Sequence, residues 1–194
     1  MKKKIFLICL VSGLSLIILS CALLLSLQIR EWSGAKYCEK TVTEIEALLP
    51  DRYKGIPFSY PDVNMPVLEI GKKDFSAMID IPAYGITLPV SDEWSDKLNK
   101  SPARFYGSAY DNTLVIGGTD SKCQFGFCDE IDTGAIITVT DMTGAEFTYA
   151  VARIERSKKA DTAWLLNEKY ALTVFCRDTY SMEYIALRCV PDYD

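Results

Sequence analysis

Seven cysteines and no histidine define the chemistry open to this 194-residue chain. A cysteine thiolate is a nucleophile and a metal ligand. The missing imidazole removes the commonest general base and the commonest metal ligand, so a Ser-His-Asp triad, a zincin motif and a zinc finger of the Cys2His2 type are excluded. Cys176 closes the run Leu172-Thr173-Val174-Phe175 and shares a strand face with Leu172 and Val174 by the period of two. A nucleophile and a buried strand cysteine both fit that place, because free Cys is among the most buried residue types. Cys9 and Cys21 fall in an apolar run, which leaves Cys38, Cys123, Cys128 and Cys189, four thiols with three possible pairings. Free thiols are the default expectation. The carboxylates Asp129, Glu130 and Asp132 hint at Ca²⁺, but three acids in a turn are ordinarily solvated, so no cofactor or metal is expected.

The elements that must position these groups begin with a membrane segment. Residues 5–29 form an almost unbroken apolar run behind Lys2, Lys3 and Lys4. As a helix it is roughly 37 Å long, enough to cross a ~30 Å hydrocarbon core with some tilt. A cleaved signal peptide has a shorter apolar region and a small-residue cut site. The stretch Ile18-Leu19-Ser20-Cys21 loosely resembles a lipoprotein signal but continues into Ala22-Leu23-Leu24-Leu25, so an uncleaved anchor is expected. The three lysines place residues 1–4 in the cytoplasm and everything from residue 30 onward outside. That outer part carries 18 basic and 26 acidic side chains. A net charge of −8 argues against nucleic acid as a partner, and no basic run supplies a second membrane signal.

A chain that is 49% hydrophobic and 24% charged is neither disordered nor collagen-like, and its length allows one ordinary domain plus appendages. Residues 31–49 read as a helical stalk, with Val42, Ile45, Leu48 and Leu49 at helical spacing and Glu39, Glu44 and Glu46 on the polar side. Pro50 ends it, and Pro57, Pro61 and Pro66 mark an extended linker, so residues 30–65 form stalk and linker and residues 66–194 the domain. Short alternating or β-branched runs follow at residues 77–81, 86–90, 113–116, 135–140, 146–154, 172–175 and 184–187, with a hairpin turn at Asp141-Met142-Thr143-Gly144. Seven or eight short strands predict an all-β fold, a closed or nearly closed barrel. Short helical segments are expected only around residues 93–98 and 163–166.

The order of these elements resembles the sortase family, the membrane-anchored cysteine transpeptidases of Gram-positive bacteria, which cut a sorting signal and join the protein to the cell wall or to a pilus. Met78-Ile79-Asp80-Ile81-Pro82 and Leu88-Pro89-Val90 are similar to its "I-x-I-P … L-P-V". Asn112-Thr113-Leu114-Val115-Ile116-Gly117-Gly118 is like the strand that leads to the catalytic His. Phe125-Gly126-Phe127 and Gly134-Ala135-Ile136-Ile137-Thr138-Val139 resemble "F-G-x-L … G-D-x-I-x-V", and Phe147-Thr148-Tyr149-Ala150-Val151 resembles its "Y-x-V" strand. Leu172-Thr173-Val174-Phe175-Cys176 resembles the strand ending in the nucleophile. The usual T-L-x-T-C is in register here only at the Cys, or shortened by one residue.

The resemblance implies a sortase-like barrel in which Cys176 attacks a peptide carbonyl and Arg188 serves the developing oxyanion, the alternative alignment placing Glu183 where the family has its Arg. Arg177, beside Cys176, is expected to point away from it. The family's "G-H-N" falls on Gly118-Thr119-Asp120, so Thr119 stands in the histidine's place and cannot exchange a proton near neutral pH. Asp120 is the nearest substitute base, or a loop carboxylate capping a turn. Cys128 falls where the family packs a core Leu. Trp94, Phe105, Tyr106 and Tyr110 are candidates to line a peptide groove or to fill the barrel ends. Two functions follow: a cell-surface transpeptidase acting on a sorting-signal peptide and an amine acceptor, impaired by the absent His, or an inactive sortase-fold module that binds peptide or scaffolds.

Overall fold

A computed structural model describes residues 2–54, 64–95 and 100–193, with side chains from residue 10 onward. The linker prolines Pro57 and Pro61, and Asp96, Lys97 and Leu98 of the expected helical turn, lie outside the described residues.

Anchor and stalk are one helix, α1, Lys2–Glu46. No proline interrupts it before Pro50, so the hydrogen-bond ladder runs on until the proline removes a donor. The helix is long and apolar enough to cross a membrane, and the barrel covers none of the side chains in its apolar window. Above that span the character changes: Gly34, Cys38, Val42 and Ile45 face the barrel at helical spacing. Val42 and Ile45 pack with Phe75 and Met78, flanked by Leu49, Leu68, Ile70 and Met142. The Cys38 thiol donates to the Lys100 carbonyl at 2.9 Å. Leu48 stays exposed, the one member of the expected stripe that misses the barrel.

The strands are β1 Tyr53–Lys54, β2 Leu68–Ile70, β3 Lys73–Ile81, β4 Ile86–Ser91, β5 Ala103–Tyr106, β6 Leu114–Thr119, β7 Ile136–Asp141, β8 Ala145–Ser157, β9 Leu172–Arg177 and β10 Tyr184–Pro191. Eight close a ring in the order β8-β10-β9-β6-β5-β4-β3-β7, with β7 returning to β8. β1 lies parallel on β8, and β2 forms a hairpin with β3. The expected barrel is therefore present, with β1, β2 and β5 added to the seven runs read from the sequence. The short helix α2, Thr162–Leu165, is where residues 163–166 placed it, and Asp161 caps it by accepting from the Trp164 N–H at 2.9 Å.

Closure gives each strand a face inside the ring and one outside. Leu114, Ile116, Leu172, Val174, Ile185 and Leu187 point inward with Ile79, Ile81, Val139 and Val151. Phe125, Phe127, Cys128 and Ile131, from the segment joining β6 to β7, complete the same interior. At the far end the β7–β8 hairpin turns at Asp141–Gly144 as expected. The buried Asp141 carboxylate accepts from Thr143 N (2.8 Å), Thr143 Oγ1 (2.7 Å), Ala145 N (2.9 Å) and the Tyr110 hydroxyl. Gly144 has φ 85°, a backbone conformation that favours glycine, and a Cβ there would fall a tight 3.0 Å from the Asp51 carbonyl.

Because Ile45 is sealed between helix and barrel while Leu48 is not, Ile45→Ala should cost about 2–4 kcal/mol of unfolding free energy and Leu48→Ala no more than about 0.5 kcal/mol. Denaturant titration of the detergent-solubilised chain measures both.

Candidate functional site

β6 and β9 are parallel neighbours, so their carboxyl ends finish at the same end of the barrel. Gly118 pairs with Cys176 and Thr119 with Arg177. The two segments singled out in the sequence therefore meet, though they are more than 50 residues apart in the chain.

Cys176 faces into the ring. It is 1% exposed and belongs to the interior cluster with Leu172, Val174 and Ile185. Its thiol donates to the Phe125 carbonyl at 3.7 Å and lies beside the Cys128 thiol. Cys189 lies close by, so three thiols share the dry interior. Burial pushes the Cys128 thiol well above the usual range, helped by Cys176 and Cys189, and burial alone pushes Cys189 up to about 12. Cys128 occupies the place of a core aliphatic residue, as its alignment implied.

The outer face of the same sheet carries Thr173, Phe175 and Arg177 on β9 and Val115, Gly117 and Thr119 on β6, by the alternation of the pleat. Trp94 covers this face. A Cβ on Gly117 would fall 2.2 Å from the Trp94 ring and 2.6 Å from Phe175, so only glycine admits the indole. Trp94, Phe105 and Phe175 form an aromatic trio with centroids 5.2 to 5.6 Å apart, two of its three pairs edge-on. Thr119 sits at the rim: its N–H donates to Gln124 Oε1 at 3.0 Å and its hydroxyl to Ser121 Oγ at 3.2 Å. Arg177 is exposed, with its guanidinium 5.8 Å from the Tyr184 ring on β10.

No family model matches the chain, and no curated protein matches it. Solved structures do. Sortase A from Corynebacterium diphtheriae is 18% identical over 84% of this chain and 85% of its own, with a TM-score of 0.52. Sortase C1 from Streptococcus agalactiae is 21% identical over 65% and 72%, with a TM-score of 0.55. A Clostridium perfringens sortase D5 transpeptidase is 20% identical over 61% and 79%, with a TM-score of 0.51. The chain has the sortase fold.

Within the sortase fold, the expected catalytic residues fare unevenly. Thr119 ends β6 on the outer face. Cys176 is beside it along the sheet but on the inner face, where an incoming peptide meets only packed core. The outer-face place at the end of β9 belongs to the next residue, Arg177, opposite Thr119.

Arg188 is not brought to Cys176. It is 0% exposed and points outward, opposite Thr173, under α2. Its Nε donates to Glu155 at 2.9 Å, one terminal nitrogen to the Leu165 carbonyl and Thr173 Oγ1 at 3.1 Å each, and the other to the Trp164 carbonyl. The Trp164 ring stacks 4.9 Å away. Four of its five N–H donors go to groups that fasten α2 to the sheet, so the guanidinium is held under α2 and away from Cys176. Glu183, the alternative, precedes β10, where its carbonyl accepts from Asp178 N at 2.8 Å. Asp120 accepts from Thr179 N at 2.6 Å and so holds the β9–β10 turn.

The remaining candidates separate. Tyr110 turns to Asp141 and Phe147, away from the aromatic trio, and Tyr106 is exposed. Cys21, Cys38, Cys123, Cys128, Cys176 and Cys189 are free thiols. Asp129, Glu130 and Asp132 are exposed, and among the described residues no three metal-ligating side chains gather.

Two outcomes follow from these burials. Arg188→Met leaves Glu155 and two carbonyls without their donor, which should cost about 3–5 kcal/mol in denaturant unfolding. The Cys189 thiol ionises near pH 9 when unfolded but only near 12 in the fold. The unfolded chain then binds fewer protons, so stability present below pH 9 is lost between pH 9 and 12, at up to about 1.4 kcal/mol per pH unit per thiol. Cys189→Ala should flatten that slope.

Proposed function

We propose that this chain is a sortase-fold module that binds peptide or scaffolds at the outer face of a membrane without forming a thioacyl bond of its own. One observation carries the reading: the only thiol at the end of β9 is Cys176, and it points into a packed core, in a chain without histidine. Acyl transfer of the sortase kind needs a thiolate that reaches the carbonyl, a proton donor for the leaving amine and a cation at the oxyanion. Here the outer positions hold Arg177 and Thr119, and Arg188 is committed elsewhere. Losing the general acid–base alone typically costs about 10²–10⁴ in rate.

What the outer face offers is binding chemistry. An aromatic floor with a guanidinium at its rim suits an extended peptide with an apolar side chain and a nearby carboxylate. In this reading residues 5–29 cross the membrane, residues 1–4 remain in the cytoplasm, and residues 66–194 form the external module. The transpeptidase reading draws on solved structures whose names say sortase, and on the adjacency of Thr119 and Cys176.

Incubation of the full chain in detergent with a panel of sorting-signal peptides separates the two. Mass spectrometry should find no thioester on Cys176, and Thr119→His alone should give none. Thr119→His combined with Arg177→Cys sets imidazole and thiol side by side on the outer face, and this pair should yield a detectable adduct. A Cys176-dependent adduct in the unaltered chain would overturn the proposal.

A further inference from the structure

The way α1 docks fixes which end of the barrel faces the membrane. A Cβ on Gly34 would lie 2.9 Å from Cys123 Sγ, so the β6–β7 segment touches the helix there. Val42 and Ile45 pack near Met142 of the β7–β8 hairpin. Those contacts are eight to eleven residues higher on the helix, about 12–16 Å farther from the span. The end that carries Thr119, Arg177 and the β9–β10 turn is therefore the membrane-proximal one. The strand directions agree: β8 starts at the distal hairpin and descends to Ser157, which pairs with Tyr184 at the start of β10.

The height is short. Gly34 lies five residues above Ile29, about 7–8 Å, which is close to the depth of one headgroup layer. Trp32 projects from the helix at that level with Lys36 over its ring at 5.2 Å, the placement of an interfacial aromatic. From this end of the barrel the β9–β10 turn reaches down past Arg177. Asp178 builds it: its carboxylate accepts from Tyr180 N at 2.8 Å and Ser181 Oγ at 2.6 Å, and its carbonyl from Met182 N at 2.9 Å. Met182 sits at φ 61°, in the left-handed region, and Thr179 N is tied to Asp120 at 2.6 Å. A turn so constrained presents Tyr180 fully exposed and Met182 more than half exposed. Among the described residues, neither side chain belongs to a buried cluster.

We propose that the Tyr180–Met182 turn is a second membrane contact, inserting its phenol and thioether into the headgroup layer of the bilayer that α1 crosses, so that the barrel rests on the lipid surface. The proposal rests on the reading of α1 as a membrane anchor. The turn is flanked by exposed Lys122, Arg156, Lys158, Lys159 and Arg177 and also by Asp120, Asp178 and Glu183, with Arg156 paired to Asp178 at 3.9 Å, so both signs surround it and the proposal does not rest on charge. It rests on apolar burial and the amphipathic tyrosine, and a zwitterionic surface is sufficient.

The test uses the full chain in phosphatidylcholine vesicles doped with a headgroup-nitroxide phosphatidylcholine, reading tryptophan quenching. Tyr180→Trp should add emission quenched to about the extent of Trp32, whose share is obtained from Trp32→Phe. Tyr193→Trp, equally exposed but beyond β10 toward the distal end, should add emission that is not quenched. If Trp32 is quenched and the Tyr180→Trp emission is no more quenched than that of Tyr193→Trp, the turn stands clear of lipid and the proposal fails while the anchor stands. If Trp32 is not quenched either, the anchor reading fails and takes the proposal with it.

Discussion

The parallel pairing of β6 with β9 inside a closed ring is the constraint on which the rest depends. Closure leaves each side chain only two directions, and the pleat alternates them without exception along a strand of six residues. Once Leu172 and Val174 are inside, Cys176 is inside. Once Gly117 and Phe175 are outside beneath Trp94, Thr119 and Arg177 are outside. Turning the thiol to the surface requires slipping β9 by one residue, which would expose Leu172 and Val174 and bury Arg177. At about 1.5–3 kcal/mol for each buried aliphatic side chain, the core decides the matter against the thiol.

The same alternation explains how the chemistry has been redistributed. An arginine that would be free to meet an oxyanion is instead the largest fully buried side chain, pinning α2 through Glu155, Thr173 and two carbonyls. A carboxylate beside the histidine's place holds a turn. The floor between β6 and β9 is packed with aromatic rings, with a glycine admitting one of them. Each group has a structural partner. What is left outward is an arginine, a threonine and an indole, the groups on which the proposed binding role rests.

The sequence carried the barrel plainly, because period-two runs such as 135–140 and 146–154 and the Asp141–Gly144 turn express local rules. It carried the motif order well enough to foresee the neighbours now seen at 18–21% identity. β5 escaped because Ala103-Arg104-Phe105-Tyr106 has no alternation of its own and is held by pairing with β6. The stalk was visible as a helix, but its docking was not, since Gly34 and Cys38 acquire meaning only against Cys123 and Lys100. Of the two places open to Cys176, nucleophile or buried strand cysteine, the structure shows the thiol buried in the interior cluster. Its even spacing from Leu172 and Val174 already contained the answer.

Alkylation of the native chain, mapped residue by residue, tests the central claim most directly. With iodoacetamide at pH 8, Cys123, the half-buried thiol of the β6–β7 segment, should react within the folded state. Cys176 should remain unmodified, as should Cys128 and Cys189, and all three should react together once denaturant opens the barrel. Modification of Cys176 at the rate of Cys123 while the barrel stays folded would contradict the account, because it would place the thiol on the outer face.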